Sequence, residues 1–509
     1  MHGLESGAGT ESVSAWIKRQ IRRDEIERYL DGGKDFIDEG HIERTLASNV
    51  QAPADRIRGI LQKARSIKLL DDADVAALAT VTDPELRQEV LAAARELKTA
   101  VYDNRVVTFA PLYCGSKCVN NCRYCGFRSD NSAVQRRSLG MDEVEAEARV
   151  LAGKIGHKRL VMVYGEHPDT GADYIADSVR RVYAVKEKVR SGVGEIRRVN
   201  INAAPMSIAD LVKIREAGIG TYQVFQETYH KATYRFVHPE GTLKGDYHWR
   251  LYCLHRAMEA GIDDVAIGAL FGLYDWRFEV IGLVAHARDL ERRFGVGPHT
   301  VSVPRLEPAA GTDFSWVGHW VSDDDFRYLI AVLRVSIPYA GLIVTNREKP
   351  DMLRSVIGMC TQRDADTRVG LGAYADAFSG SDEQKAERQQ FMLGDTRSLD
   401  QIVRELASMG HIVSFCTAGY RCGRTGKKIM DALRCGSEGH LCKLNAILTF
   451  QEWLEDFASP DTRLAGEAII ERELSEVRLR VPGDFSQAAF EHLVDARKRI
   501  MAGERDLYF

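Results

Sequence analysis

Residues 106–127 read VVTFAPLYCGSKCVNNCRYCGF. The opening Val106–Pro111 is a β-branched and aromatic run of strand character, and the cysteines begin soon after it. Cys118, Cys122 and Cys125 share a C-x3-C-x2-C register, while Cys114 stands four residues outside it. Three thiolates on one short loop can hold three irons of a 4Fe–4S cluster and leave the fourth open to an exogenous ligand. Four thiolates would instead suit a closed cluster or a structural zinc. Cys114 therefore separates two readings.

Downstream, short apolar runs alternate with longer amphipathic stretches. The strand-like runs are Arg159–Val163, Arg197–Asn202, Thr221–Phe225, Asp264–Leu270, Thr300–Val303 and Gly341–Thr345, with a weaker eighth near Thr367–Leu371. Helical spacing fills the intervals at Asp142–Gly153, Ser207–Ala217, His248–Ala260, Arg277–Phe294 and Ser322–Val335. This α/β alternation predicts a parallel sheet, and seven or eight units favour a closed barrel over an open doubly wound sheet. The cysteine loop then lies at the C-terminal end of a strand, where barrel chemistry belongs. Upstream, Glu11–Tyr29, His41–Lys68 and Pro84–Tyr102 read as helices, so 1–104 form an N-terminal helical extension and 105–375 the barrel. Residues 376–393 are polar and read as a linker or loop; 394–509 form a further, mainly helical unit.

Over 509 residues, Lys+Arg number 69 against Asp+Glu 73, a formal net charge of −4. That balance excludes a generic nucleic-acid binder, whose affinity rests on cationic neutralisation of phosphates. The longest clean apolar run, Val265–Tyr274, falls far short of the ~20 residues of a membrane span. No basic region followed by an apolar one opens the chain, so a cytoplasmic protein is expected. The ten cysteines cluster, which in a reducing compartment signals metal or redox chemistry over disulfides.

C-x3-C-x2-C with Tyr124 before its last cysteine resembles the signature of the radical S-adenosylmethionine (radical SAM) enzymes. That resemblance implies a (βα)8 TIM-type barrel and a 4Fe–4S cluster on Cys118, Cys122 and Cys125 whose open iron chelates S-adenosylmethionine. Tyr164-Gly165-Glu166 looks like the family's Gly-Gly-Glu element, implying Gly165 and Glu166 at the methionine ammonium. Asn200, Asn202 and Glu227 are the implied ribose contacts. Longer stretches, among them GHKRL, RRVNIN, FQETYHKATY, FGVGPHTVSVPRL, CKLNAILTF and GERDLYF, are similar to the HydG-type tyrosine lyases of FeFe-hydrogenase maturation from about Ile37 to Phe509. The thiamine-pathway 2-iminoacetate synthases are related and share the barrel.

The resemblance implies cleavage of the Cα–Cβ bond of L-tyrosine to p-cresol and dehydroglycine (2-iminoacetate). An amino-acid substrate needs a cation for its carboxylate, and a guanidinium binds one bidentately. Arg347, with Thr345, matches the family's Ser-x-Arg clamp; Ser302 and Arg305 are further candidate contacts. A flavodoxin- or ferredoxin-type reductant and other hydrogenase maturases are the implied partners, with no nucleic acid and no membrane. The family's C-terminal unit carries an auxiliary Fe–S cluster on C-x2-C and a third cysteine, with a histidine aiding a labile iron that collects carbon monoxide and cyanide. Those positions are Cys416, 419 and Cys442, with His299. Position 419 is Gly419, which cannot ligate iron. Either the auxiliary site is lost, or Cys422 and Cys435 help rebuild it, and carbon monoxide and cyanide formation is expected to be weak or absent. Two other readings stand beside this one: a 2-iminoacetate synthase for thiazole or another pathway, and an iron–sulfur carrier without turnover.

Overall fold

A computed structural model describes residues 13–375, 389–434 and 437–509. Eight parallel strands close into a barrel: β1 Val106–Gly115, β2 Arg159–Tyr164, β3 Arg198–Asn202, β4 Tyr222–Gln223, β5 Val265–Gly268, β6 Thr300–Ser302, β7 Gly341–Val344 and β8 Gln362–Asp364. Closure runs through β8 and β1, with Val107 opposite Gln362 and Phe109 opposite Asp364. Strands β1, β5, β6 and β7 are buried along their whole length, the pattern of a parallel sheet covered on both faces.

The eighth strand is Gln362–Asp364 and not Thr367–Leu371. Its Gln362 and Asp364 face the barrel interior and break the apolar signal, while Asp366 at φ +49° ends the extended run before Thr367. The helix expected over His248–Ala260 is two, Tyr247–Leu251 and Cys253–Glu259, parted at Tyr252. Of Glu11–Tyr29, the described part is helical over Val13–Gln20 and Asp24–Glu27. No described helix is long and apolar enough to cross a membrane.

A ninth strand, β9 Val413–Ser414, pairs in parallel with the start of β1, so the unit after the barrel joins its sheet at the N-terminal mouth. Helices α1 Ser437–Asp456, α2 Pro460–Leu479 and α3 Gln487–Met501 pack together behind it. A buried charge cluster ties them to the barrel: Glu452 of α1 accepts from Lys158 at 2.6 Å and from Arg197 at 2.7 Å. Desolvation penalises that carboxylate, but the two cations outweigh it and hold its pKa well below the usual range.

Candidate active site and a second cysteine pocket

The C-terminal mouth of the barrel opens into a cavity of about 230 Å3. The loop after β1 crosses it, fastened to the end of β2. Val119 N–H donates to the Glu166 carbonyl at 2.8 Å, and Gly165 N–H to the Gly115 carbonyl at 2.7 Å. A Cβ on Gly165 would lie 2.1 Å from the Lys117 carbonyl oxygen, so only glycine allows this approach.

Cys118, Cys122 and Cys125 all line the cavity. Asn120 Nδ2 donates to Cys118 Sγ at 3.6 Å and Gln390 Nε2 to Cys125 Sγ at 3.7 Å. Burial pushes the Cys118 thiol up to about 11 and that of Cys122 up to about 12, Lys244 opposing the latter. Among the described residues, one group of three ligating residues has all its ligand atoms within 4.8 Å of one another: Asp103, Glu473 and Glu476. The ammonium of Lys443 already fills that group, at 2.8–3.0 Å. The three thiols are thus spread too widely for one small ion and fit a cluster with one iron per thiolate. Cys114 is fully buried in the main hydrophobic core and does not line the cavity, which removes the fourth ligand that a zinc knuckle needs.

Around the thiols stand Tyr124, Gly165, Glu166, Asn202 and Glu227. Burial raises the pKa of Glu166, opposed by Arg250 and by the close amide of Asn120. Glu227 sits at φ +72° and takes Lys244 at 2.6 Å and Arg250 at 3.4 Å. Burial works against its charge, yet those cations lower its pKa. Asn200 lies outside the cavity lining: its side-chain oxygen accepts the Thr221 N–H at 3.0 Å and stitches β3 to β4 below.

The opposite wall carries Ser302, Thr345 and Arg347. The Thr345 hydroxyl is buried without a hydrogen-bond partner among the described residues. The Arg347 guanidinium stacks on Phe391, 3.3 Å from the ring centroid, and makes no ion pair within 4.0 Å among the described residues, although Glu227 and Glu307 of the same cavity act on it from farther off. Burial lowers its pKa. Arg305 is placed elsewhere: it grips Glu348, Nε to Oε1 at 2.8 Å, and Asp323 at 2.8 Å, so its donors are taken. Sequence reasoning missed Asn120, Lys244, Arg250, Gln223, Gln390 and Phe391, which line or serve the cavity. Asn120 occupies a variable position of the cysteine motif, the others belong to no short motif, and the last two fall in the polar stretch read as a linker.

The second cysteine group lies at the other mouth. Cys416 and Cys442 line a cavity of about 20 Å3 with His299, Arg105, Tyr102 and Glu438. His299 Nδ1 is bonded to Asp264 at 2.9 Å, which orients the ring as a carboxylate orients a ligand histidine. Gly419 lines a second void beside the same two cysteines. Cys422 does not converge with them; it is exposed, with Sγ 3.5 Å from the Phe509 carbonyl oxygen, because α-helical winding at Ala418–Arg421 turns it outward. Cys435 lies outside the described residues.

The Radical SAM superfamily pattern matches residues 112–280, and that of the Biotin and Thiamin Synthesis associated domain matches 302–412. The 2-iminoacetate synthase of Escherichia coli (strain K12) is 28% identical over 356 residues, 69% of this chain and 88% of that protein. A solved structure of HydG, a maturase of the FeFe-hydrogenase, superposes with a TM-score of 0.86 at 41% identity, covering 93% of this chain and 100% of that one. HydG from Carboxydothermus hydrogenoformans does so with a TM-score of 0.74 at 34% identity, over 91% and 98%.

Proposed function

The chain belongs to the HydG family of radical SAM enzymes, and from that premise we propose that it cleaves the Cα–Cβ bond of L-tyrosine to p-cresol and dehydroglycine. One observation carries the substrate assignment. A half-buried arginine that makes no close ion pair among the described residues lines the same cavity as three thiols.

In this reading Cys118, Cys122 and Cys125 hold the 4Fe–4S cluster, and Glu166 with the Gly165 backbone receives the methionine ammonium of S-adenosylmethionine. Asn202 and Glu227 reach the ribose. When bound, the cluster and S-adenosylmethionine supply a 5′-deoxyadenosyl radical. Arg347 and the unpartnered Thr345 hydroxyl hold the tyrosine carboxylate, which orients the amino acid and keeps water from the guanidinium. Apolar Phe109, Val161 and Ile343 fill the barrel interior beneath. A non-catalytic cluster carrier has no use for Arg347.

A second cluster at Cys416 and Cys442, a flavodoxin- or ferredoxin-type reductant, and the other hydrogenase maturases complete the reading. So does a cytoplasmic setting, in keeping with nine free cysteines among the described residues. Gly419 supports a second reading, in which the chain supplies 2-iminoacetate with little carbon monoxide or cyanide, as the name of its Escherichia coli relative suggests.

The test is turnover of reconstituted, reduced enzyme with S-adenosylmethionine and tyrosine. It should yield 5′-deoxyadenosine and p-cresol, and Cys122→Ala should abolish both. Full turnover by that variant would sink the radical reading.

A further inference from the structure

The pocket beneath the barrel holds an acid that the cysteine pattern leaves unused. Glu438 is 1% exposed and stands one turn before Cys442 on α1. The Cys442 thiol donates to its Oε1 at 3.2 Å. The other oxygen, Oε2, is buried with no hydrogen-bond partner among the described residues. A buried carboxylate oxygen left bare is costly, and its persistence asks for a ligand. Arg424 lies 3.3 Å from Oε1, and the buried Arg105 lines the same pocket. Two cations thus surround two thiols and one carboxylate.

Gly419 makes the room. A Cβ built there would meet nothing closer than 3.8 Å, and Glu438 Oε1 is one of those nearest atoms. The carboxylate reaches into the volume that a side chain at 419 would occupy. Cys416 is held at φ +48°, a conformation costly for any residue but glycine and frequent at ligand clamps. The candidate ligand atoms of Cys416, Cys442 and Glu438 are not all within 4.8 Å of one another. That is also true of Cys118, Cys122 and Cys125, so neither trio closes on a single small ion.

We infer that Glu438 replaces the third thiolate missing at Gly419, so that Cys416, Cys442 and Glu438 are the protein ligands of an iron–sulfur cluster at the lower mouth of the barrel. The inference rests on the proposed function only in taking the metal chemistry here as iron–sulfur; tyrosine turnover is not needed. A carboxylate is a harder ligand than a thiolate, so this cluster should be bound less tightly and show fewer thiolate-to-iron transitions than a three-cysteine one.

The test uses the full chain with Cys118, Cys122 and Cys125 all changed to Ala, so that retained iron belongs to the lower site. After anaerobic reconstitution with ferrous iron and sulfide and desalting, this chain should keep ~4 irons and their charge-transfer absorption. Glu438→Ala should lower retained iron at least fivefold. Glu438→Gln, which preserves shape, should do the same, and adding Gly419→Cys to Glu438→Ala should restore it. Circular dichroism checks the fold. In the chain with all its cysteines, where the upper loop is intact, either change at Glu438 should halve the iron count, which covers the case of a triple variant that does not fold. A folded triple variant without iron, or Glu438 variants that keep as much iron as their parents, overturns the inference. Absence of p-cresol from the unaltered enzyme would strike the tyrosine lyase reading and leave these iron counts standing.

Discussion

At the scale of single residues, Arg347 is the proposed contact to the substrate carboxylate, and Arg305 shows why a strand-end arginine is ambiguous. Both follow barrel strands, yet Arg305 is consumed by Glu348 and Asp323 while Arg347 stacks on the Phe391 ring and makes no close ion pair among the described residues. A charge-assisted pair to a carboxylate is worth ~1.5–3 kcal/mol, so Arg347→Ala should lower kcat/KM for tyrosine by roughly ten- to a hundredfold. Arg347→Lys should recover only part, because an ammonium gives up the bidentate geometry. Iron content of both variants controls for cluster assembly; kinetics unchanged from the parent would move the carboxylate site elsewhere. Residues in a fixed spacing, such as Cys118, Cys122 and Cys125, were legible in the sequence because the chemistry demands that spacing. Arg305 and Asn200 were misplaced because their partners come from distant segments, which no local pattern shows. Glu438 was invisible for the same reason: its meaning arises only from packing against Cys442 and the side-chain position of Gly419.

At the scale of elements, the site depends on segments that hold the loops still. The short segment Gln389–Phe391 lies across the cysteine loop: Gly126 N–H donates to the Gln390 carbonyl at 3.1 Å, and a Cβ on Gly126 would come within 2.9 Å of that oxygen. The helix Trp276–Phe294 supports the opposite side through Glu279. That carboxyl is fully buried, accepts from Thr228 Oγ1 at 2.5 Å and from Tyr229 N–H at 2.8 Å, and so anchors the residues just after Glu227. Burial raises its pKa to about 8. With a folded pKa above the ordinary ~4.3, its stabilising contribution is complete below ~4.3 and is lost as pH rises through about 8. Glu279→Gln, neutral at every pH, should therefore flatten the fall of Tm between about pH 5 and about pH 8. Parallel Tm profiles for variant and parent would show that the group titrates normally. The helix itself was legible from its apolar periodicity to within a residue, since nineteen residues of amphipathic pattern average out exceptions. The three-residue β8 was not, because two of its three side chains are polar and face the barrel interior.

At the scale of the whole molecule, one barrel separates two chemistries. Val107 and Gln362 line the lower cavity, while Phe109, Pro111, Tyr113 and Asp364 of the same strands line the upper one. From Val107 to Tyr113 the strand rises ~20 Å, so dehydroglycine made beside Arg347 must travel about that far to reach Cys416, Cys442 and His299. In the proposed function, release of carbon monoxide and cyanide would depend on what the lower site holds, independently of cleavage above. There the ligand set lacks a thiolate at Gly419, and a carboxylate is the harder, weaker donor to iron. We expect p-cresol to form normally while carbon monoxide, trapped by deoxyhaemoglobin in the same reaction, falls well short of it. Unconverted dehydroglycine should appear as glyoxylate and ammonia. Gly419→Cys should raise the ratio of carbon monoxide to p-cresol, because its Cβ meets its neighbours at ordinary van der Waals distance, none nearer than 3.8 Å, and restores a soft ligand beside Cys416 and Cys442. Near-equimolar carbon monoxide and p-cresol from the unaltered chain would refute this, and would mean that two thiolates and a carboxylate suffice for the full reaction.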